Sequence, residues 1–214
     1  MAGILKIIGV LTVIQGLRAG IGFGLSALLD PGRQWMDVTE SAAILLAGLI
    51  ALAVFRPGAG KLGLDMKGRP LCEKIVYIAA GTGVVAIAAA GLPLTGGTDA
   101  NAVFAALKSA VVIPIFEELI FRGTIWDSLS KKGYPEPVIY AVTVILFALW
   151  HLGYYDVVWL HAAGNAKAPD MGNIMFFKML TGFAFGVATG LLRWKTKRTY
   201  AGILMHALFN IFGR

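Results

Sequence analysis

Charge is scarce in this sequence. Of 214 residues only 14% are charged and 57% are hydrophobic, whereas a soluble domain carries about 25% charged residues. The mean hydropathy is +0.75. A soluble fold of this length could not cover so much apolar surface, so the bilayer is its solvent. Cysteine is almost missing. The single Cys72 excludes an intrachain disulfide and a cysteine-only metal site, and reads as a small apolar residue at the start of a span. Period-two alternation is absent, which argues against strands, while helices satisfy their own backbone in lipid. The fold class is therefore all-α: a polytopic transmembrane helical bundle without a soluble domain. Internal repeats and low-complexity tracts are also lacking. The N-terminal apolar run carries Gln15 and Arg18 and ends without a small-residue cleavage site, so it reads as a retained helix and not a signal peptide.

Seven apolar stretches are present: Ile4–Leu29, Val38–Phe55, Leu71–Leu92, Asn101–Trp126, Pro135–Leu152, Met171–Trp194 and Tyr200–Phe212. At ~20 residues per span the chain has room for six to eight; the last stretch is short for a full crossing. The net charge of +7 does not mark a nucleic-acid binder, because the charges sit in short loops between apolar spans. Arg56, Lys61, Lys67, Arg69 and Lys74 lie in or beside the second loop, Lys131 and Lys132 in the fourth, and Arg193, Lys195, Lys197 and Arg198 at the sixth. The first loop has only Arg33, the fifth only Lys167, and the third neither Lys nor Arg. Basic and poor loops alternate, which places the N-terminus in the cytoplasm. Residues 56–70 read as a cytoplasmic interfacial segment with glycine turns. Gly16, Gly20 and Gly24, and again Gly182, Gly186 and Gly190, form stripes that let helices approach closely.

Ionisable groups within apolar spans cost about 2.5–3.5 kcal/mol each and persist when they have a partner or a task. The fourth stretch carries Glu117, Glu118 and Arg122. Glu118 and Arg122 are four apart and share a face, so they suit an ion pair, while Glu117 points about 100° away. Pro114 is placed to kink the helix just before them. The fifth stretch contains Phe147 and His151. Glu117 and His151 lie symmetrically about the turn at Tyr134, so an antiparallel hairpin sets them at matching depth. A carboxylate beside an imidazole suits general-base work on water. The last stretch carries His206 and Asn210, four apart on one face, both able to donate hydrogen bonds to an oxyanion. His206 lies only about 10 Å past the sixth loop, shallower than Glu117. The seventh helix must therefore tilt, the basic loop must dip into the bundle, or a water-filled cavity must reach the histidine. Asp156, His161, Asn165 and Asp170 read as solvated outer-loop residues, and Lys178 as a snorkelling or paired cation.

Together these segments resemble the CAAX protease and bacteriocin-processing (CPBP, or Abi) family of membrane proteases, including type II CAAX prenyl endopeptidases. That family is marked by EExxxR, FxxxH and HxxxN on successive helices. Here these are Glu117-Glu118…Arg122, Phe147…His151 and His206…Asn210, in the contexts PIFEELIFRG, ILFALWHLG and ILMHALFN. The resemblance covers residues 101–214 as a four-span catalytic core. Residues 1–100 form three preceding spans that rest on hydropathy alone. It implies an intramembrane endopeptidase acting on a membrane-associated or lipidated peptide or protein. Glu117 and His151 would activate water, His206 and Asn210 would form the oxyanion hole, and Glu118, Arg122 and Phe147 would support them. Glu117, His151 and His206 are also residue types that hold zinc with water in the fourth position; the lack of HExxH favours a mechanism without a cofactor. A non-catalytic immunity or scaffold protein on the same fold is the alternative, and a transporter is disfavoured because inverted repeats are absent. The short loops point to a prokaryotic cell membrane, with substrate entering laterally or from the cytoplasmic side.

Overall fold

The computed structural model describes residues 2–29, 36–55, 62–95, 99–162 and 169–212. Among these it is all helical, with seven helices where seven apolar stretches are predicted. They are α1 (Ala2–Leu29), α2 (Met36–Phe55), α3 (Leu71–Thr95), α4 (residues 100–131), α5 (residues 136–162), α6 (Met171–Thr196) and α7 (Thr199–Phe212). Four stretches are long and apolar enough to cross a membrane: Gly3–Leu28, Leu71–Leu92, Glu136–Leu160 and Met171–Thr196. The chain is a polytopic membrane protein.

The core gathers around α4 and α5, where Phe121, Ile125, Leu129, Ile139 and Phe147 are buried together with Ile7, Leu11 and Ile14 of α1. No residue of α3 from Leu71 to Leu92 is buried; α3 packs against α7 and α4 at the periphery and turns its Ile and Val side chains outward. In water this would be unfavourable, but in lipid it costs nothing.

α4 is not a uniform α-helix. Two π-helical segments, Lys108–Val112 and Leu119–Ile125, flank the α-helical turn Ile113–Glu118, and π segments are frequent at functional sites. Pro114 supplies a local reason for the first. In the π register the Ile113 amide donates to the Lys108 carbonyl; the next such bond, from residue 114 to the Ser109 carbonyl, cannot form because proline has no N–H. The freed Ser109 carbonyl instead accepts a hydrogen bond from Asn210 Nδ2 at 2.9 Å. α5 is likewise interrupted: its α-helix Glu136–Trp150 tightens into a 3-10 turn over His151–Tyr154 and resumes at Tyr155–Ala162. It therefore runs well past the predicted end at Leu152.

The short α7 reaches the core because its start is sunk into the bundle. Thr199 is fully buried and its hydroxyl donates to the Leu62 and Arg122 carbonyls. The basic turn dips, as one of the three sequence-level options requires. A left-handed Lys197 (φ 59) ends α6, and its ammonium pairs with Glu136 at 2.5 Å. The interfacial reading of residues 56–70 needs correction where the segment is described. Leu62 is buried against Gly123, where a Cβ would come within 2.9 Å of its Cδ2, so this end of the segment plugs the bundle. Residues 56–61 lie outside the described residues, as do Arg33, Asn165 and Lys167.

The two glycine stripes behave differently. Gly186 and Gly190 seat Val144 and Tyr140 of α5 at contact distances, and Gly182 seats His151. Gly16, Gly20 and Gly24 have nothing within 4 Å, so the α1 stripe makes no close helix contact within this chain. Asp156 is not solvated: it pairs with Arg18 of α1 at 2.6 Å. Asp170 caps α6, accepting from the Asn173 amide at 3.0 Å.

Candidate active site

The π and α turns of α4 aim three charged side chains inward. Glu117, Glu118 and Arg122 are 1%, 0% and 0% exposed, burial that charged groups tolerate only when they are paired and hydrogen-bonded. Arg122 donates to Glu118 Oε1 at 3.1 Å and to the Gly186 carbonyl at 3.0 Å, and lies over the Phe147 ring at 4.2 Å. The i,i+4 pairing read from the sequence is present, and Phe147 gives the guanidinium a π face.

Glu117 faces elsewhere. Its Oε1 accepts from Tyr154 Oη at 2.7 Å and from Trp150 Nε1 at 3.0 Å. Its Oε2 has no hydrogen-bond partner, and the closest cationic candidate is His206 Nε2 at 3.9 Å. One oxygen is thus held and the other is left available. His206 from α7 is turned by a contact between its Nδ1 and Glu118 Oε1 at 3.2 Å. His151 lies 2.8 Å from the Phe147 carbonyl through Nδ1. A carbonyl only accepts, so that nitrogen carries the proton and neutral His151 offers its Nε2 lone pair. Glu117 and His151 line one cavity with His206 and Asn210, yet no hydrogen bond or ion pair joins the two. All four residues assigned to chemistry from the sequence meet at this cavity, while Glu118, Arg122 and Phe147 stand behind it.

The family model "Type II CAAX prenyl endopeptidase Rce1-like" matches residues 99–212. The chain belongs to this family. No curated protein and no solved structure matches the chain. As an Rce1-like family member it is a membrane protein of a CAAX-type intramembrane protease family, and the match spans the three segments that carry the buried acid, imidazole and amide groups.

Several residues of this Rce1-like site are not singled out by sequence reasoning. Trp150 and Tyr154, which hold Glu117, are spaced i,i+4 across the 3-10 turn, and the predicted span stops short of Tyr154. Lys108 and Glu40 pair at 2.5 Å at the cavity wall; a lysine and a glutamate in two apolar runs are the available signal for them. A third group lies on α1, outside the family match. The tightening of α5 frees the Trp150 and Gly153 carbonyls, which accept from Gln15 Nε2 at 3.0 Å and from Arg18 at 2.9 Å. Arg18 is itself held by Gln15 at 2.7 Å and by Asp156, and covers the Tyr154 ring at 4.9 Å. α1 therefore clamps the turn that presents His151 and Tyr154.

The cavity holds about 450 Å³, within the range of small-ligand sites. Beside the polar groups its walls are apolar, with Ile44, Ile113, Val157, Phe185 and Phe209. Among the described residues no three His, Cys, Asp or Glu side chains converge to hold a metal ion. Glu117 Oε1 and His151 Nδ1 are occupied by protein partners, which leaves the zinc set Glu117, His151 and His206 ungathered in this structure.

Proposed function

We propose that the chain is an endopeptidase that hydrolyses a peptide bond of a membrane-associated peptide or protein, using water activated by Glu117 and His151. The observation that carries this reading is the divided Glu117 carboxylate, with one oxygen fixed by two donors and the other buried, unpartnered and beside a cavity. A purely structural glutamate would have both oxygens satisfied.

In the proposed reaction a water between Glu117 Oε2 and His151 Nε2 attacks the scissile carbonyl carbon. Glu117 takes the water proton, and the same proton passes to the departing amine as the C–N bond breaks. The oxyanion is held by His206 Nε2–H and by Asn210. Asn210 has two amide protons; one is donated to Ser109 and the other is free for this task. A doubly protonated His206 donates from Nδ1 to Glu118 and leaves Nε2–H for the oxyanion. The four buried charges of Glu117, Glu118, Arg122 and His206 then sum to zero, which suits a low-dielectric site. The proposed location is a prokaryotic cell membrane, since the short loops leave no extramembrane domain.

The test is cleavage of a fluorogenic peptide library by detergent-solubilised protein, comparing wild type with Glu117→Ala and His206→Ala, each with and without a zinc chelator. The expected result is loss of roughly 10²–10⁴-fold in both variants and no effect of chelator. Loss to chelator and recovery with zinc would reassign the same residues to a metal site. Full activity in Glu117→Ala would sink the proposal and favour a scaffold on this fold.

A further inference from the structure

α6 brings a second kind of charge into the cavity, and the chemistry above does not use it. Lys178 lies one turn before Gly182, the residue that seats His151, and lines the cavity with Glu117 and His206. The cavity's other lysine, Lys108, is matched by Glu40 at 2.5 Å. Lys178 has no carboxylate partner among the described residues; its ammonium rests 5.6 Å from the centre of the Tyr154 ring. A ring face compensates a partly desolvated ammonium far less than a carboxylate does. Lys178 does not serve as the counter-ion of Glu117 either, since Glu117 Oε2 is left without a partner. The cavity therefore keeps one cation ready for an anion that is not part of the protein.

We propose that Lys178 anchors the C-terminal carboxylate of the peptide, an inference that rests on the protease reading above. The geometry sets the reach. Between Lys178 and Glu117 stands a single phenol ring, with the ammonium 5.6 Å from its centre and its hydroxyl 2.7 Å from Glu117. At ~3.3 Å per extended residue, that separation is covered by about three residues at most. An anchored terminus thus places the reactive bond within about three residues of the chain end. Ile113, Val157, Phe185 and Phe209 on the walls suit apolar side chains in between, and the volume takes a short peptide end and not a folded chain. A side-chain carboxylate offers the same chemistry from a second source.

Binding can be read apart from cleavage. An N-terminally fluorescein-labelled apolar hexapeptide is prepared as the free acid, as the C-terminal amide, and as the amide with aspartate at its last position. Fluorescence anisotropy with Glu117→Gln protein in detergent measures affinity without turnover. The free acid is expected to bind roughly 10- to 100-fold more tightly than the plain amide, the range of a charge-assisted contact. Lys178→Met abolishes this difference and Lys178→Arg retains it, with thermal unfolding confirming that both fold. With active protein, mass spectrometry of the free acid then finds the cut within about three residues of the end. No binding of the free acid, equal binding of acid and amide, or discrimination that survives in Lys178→Met overturns the proposal. Tight binding of the aspartyl amide alone overturns the C-terminal assignment. Discrimination without any cleavage by wild type upholds the anchor and removes the protease reading.

Discussion

Tyr154 holds one oxygen of Glu117 at 2.7 Å and thereby decides which oxygen is free to act. Tyr154→Phe keeps the ring under Arg18 and removes only the hydroxyl. A hydrogen bond to a charged group is worth about 1.5–3 kcal/mol, so kcat/KM is expected to fall roughly 10- to 100-fold while the unfolding temperature moves little. Steady-state kinetics and thermal unfolding of the same preparation check both halves, and unchanged kcat/KM would show that Trp150 alone suffices. The acids, histidines and amide that line this cavity stand out in the sequence because each interrupts an apolar run. Tyr154 does not, because a tyrosine is at home near the end of a span and its contact with Glu117 crosses 37 positions of chain. Asp156 misleads for a related reason: its partner Arg18 lies on another helix, and no spacing rule links the two.

The elements themselves are legible from hydropathy, since seven apolar runs become seven helices, but their irregular turns are not. The π segments of α4, the 3-10 turn of α5 and the sunken start of α7 arise where one helix meets another. Pro114 is the one local sign, and its effect is visible only once Asn210 is seen taking the Ser109 carbonyl. The α1 clamp on the 3-10 turn carries a prediction at this level. Arg18→Ala leaves Asp156 and the Gly153 carbonyl without their partner, and removing one member of a buried pair costs about 3–5 kcal/mol. A lowered unfolding temperature in detergent is expected together with weakened cleavage. The exchange Arg18→Asp with Asp156→Arg restores part of the stability but not the bond to the Gly153 carbonyl. If Arg18→Ala unfolds like wild type, α1 is only a packing helix.

Across the whole molecule, charge and cavity lie at opposite ends. The start of α1, the Leu62–Gly63 plug, the α4–α5 turn and the Lys197–Glu136 pair share one end, where Lys132 also approaches Gly3. The cavity residues Glu40, Lys108, Val157, Lys178 and Asn210 lie within about two turns of the helix ends at the other pole. If the basic end is cytoplasmic, as positive residues dictate, the cavity rises toward the outer face, which departs from the entry route drawn from loop charge alone. Single-cysteine proteins in a Cys72→Ser background test this in intact cells with a membrane-impermeant maleimide. A cysteine at Phe212 is expected to label and one at Tyr134 to be protected; the reverse pattern inverts the topology.

Gly182 gives the family a silent off-switch. A Cβ there would lie 2.5 Å from His151 Nδ1, so one added methyl unseats the imidazole while every acid, histidine and amide stays in the chain. Gly182→Ala is expected to fold and to cleave nothing, as activity beside circular dichroism will show. A relative carrying alanine at this place would pass any inspection of its polar motifs and still be a scaffold, so the boundary between protease and pseudoenzyme here is drawn by a hydrogen atom.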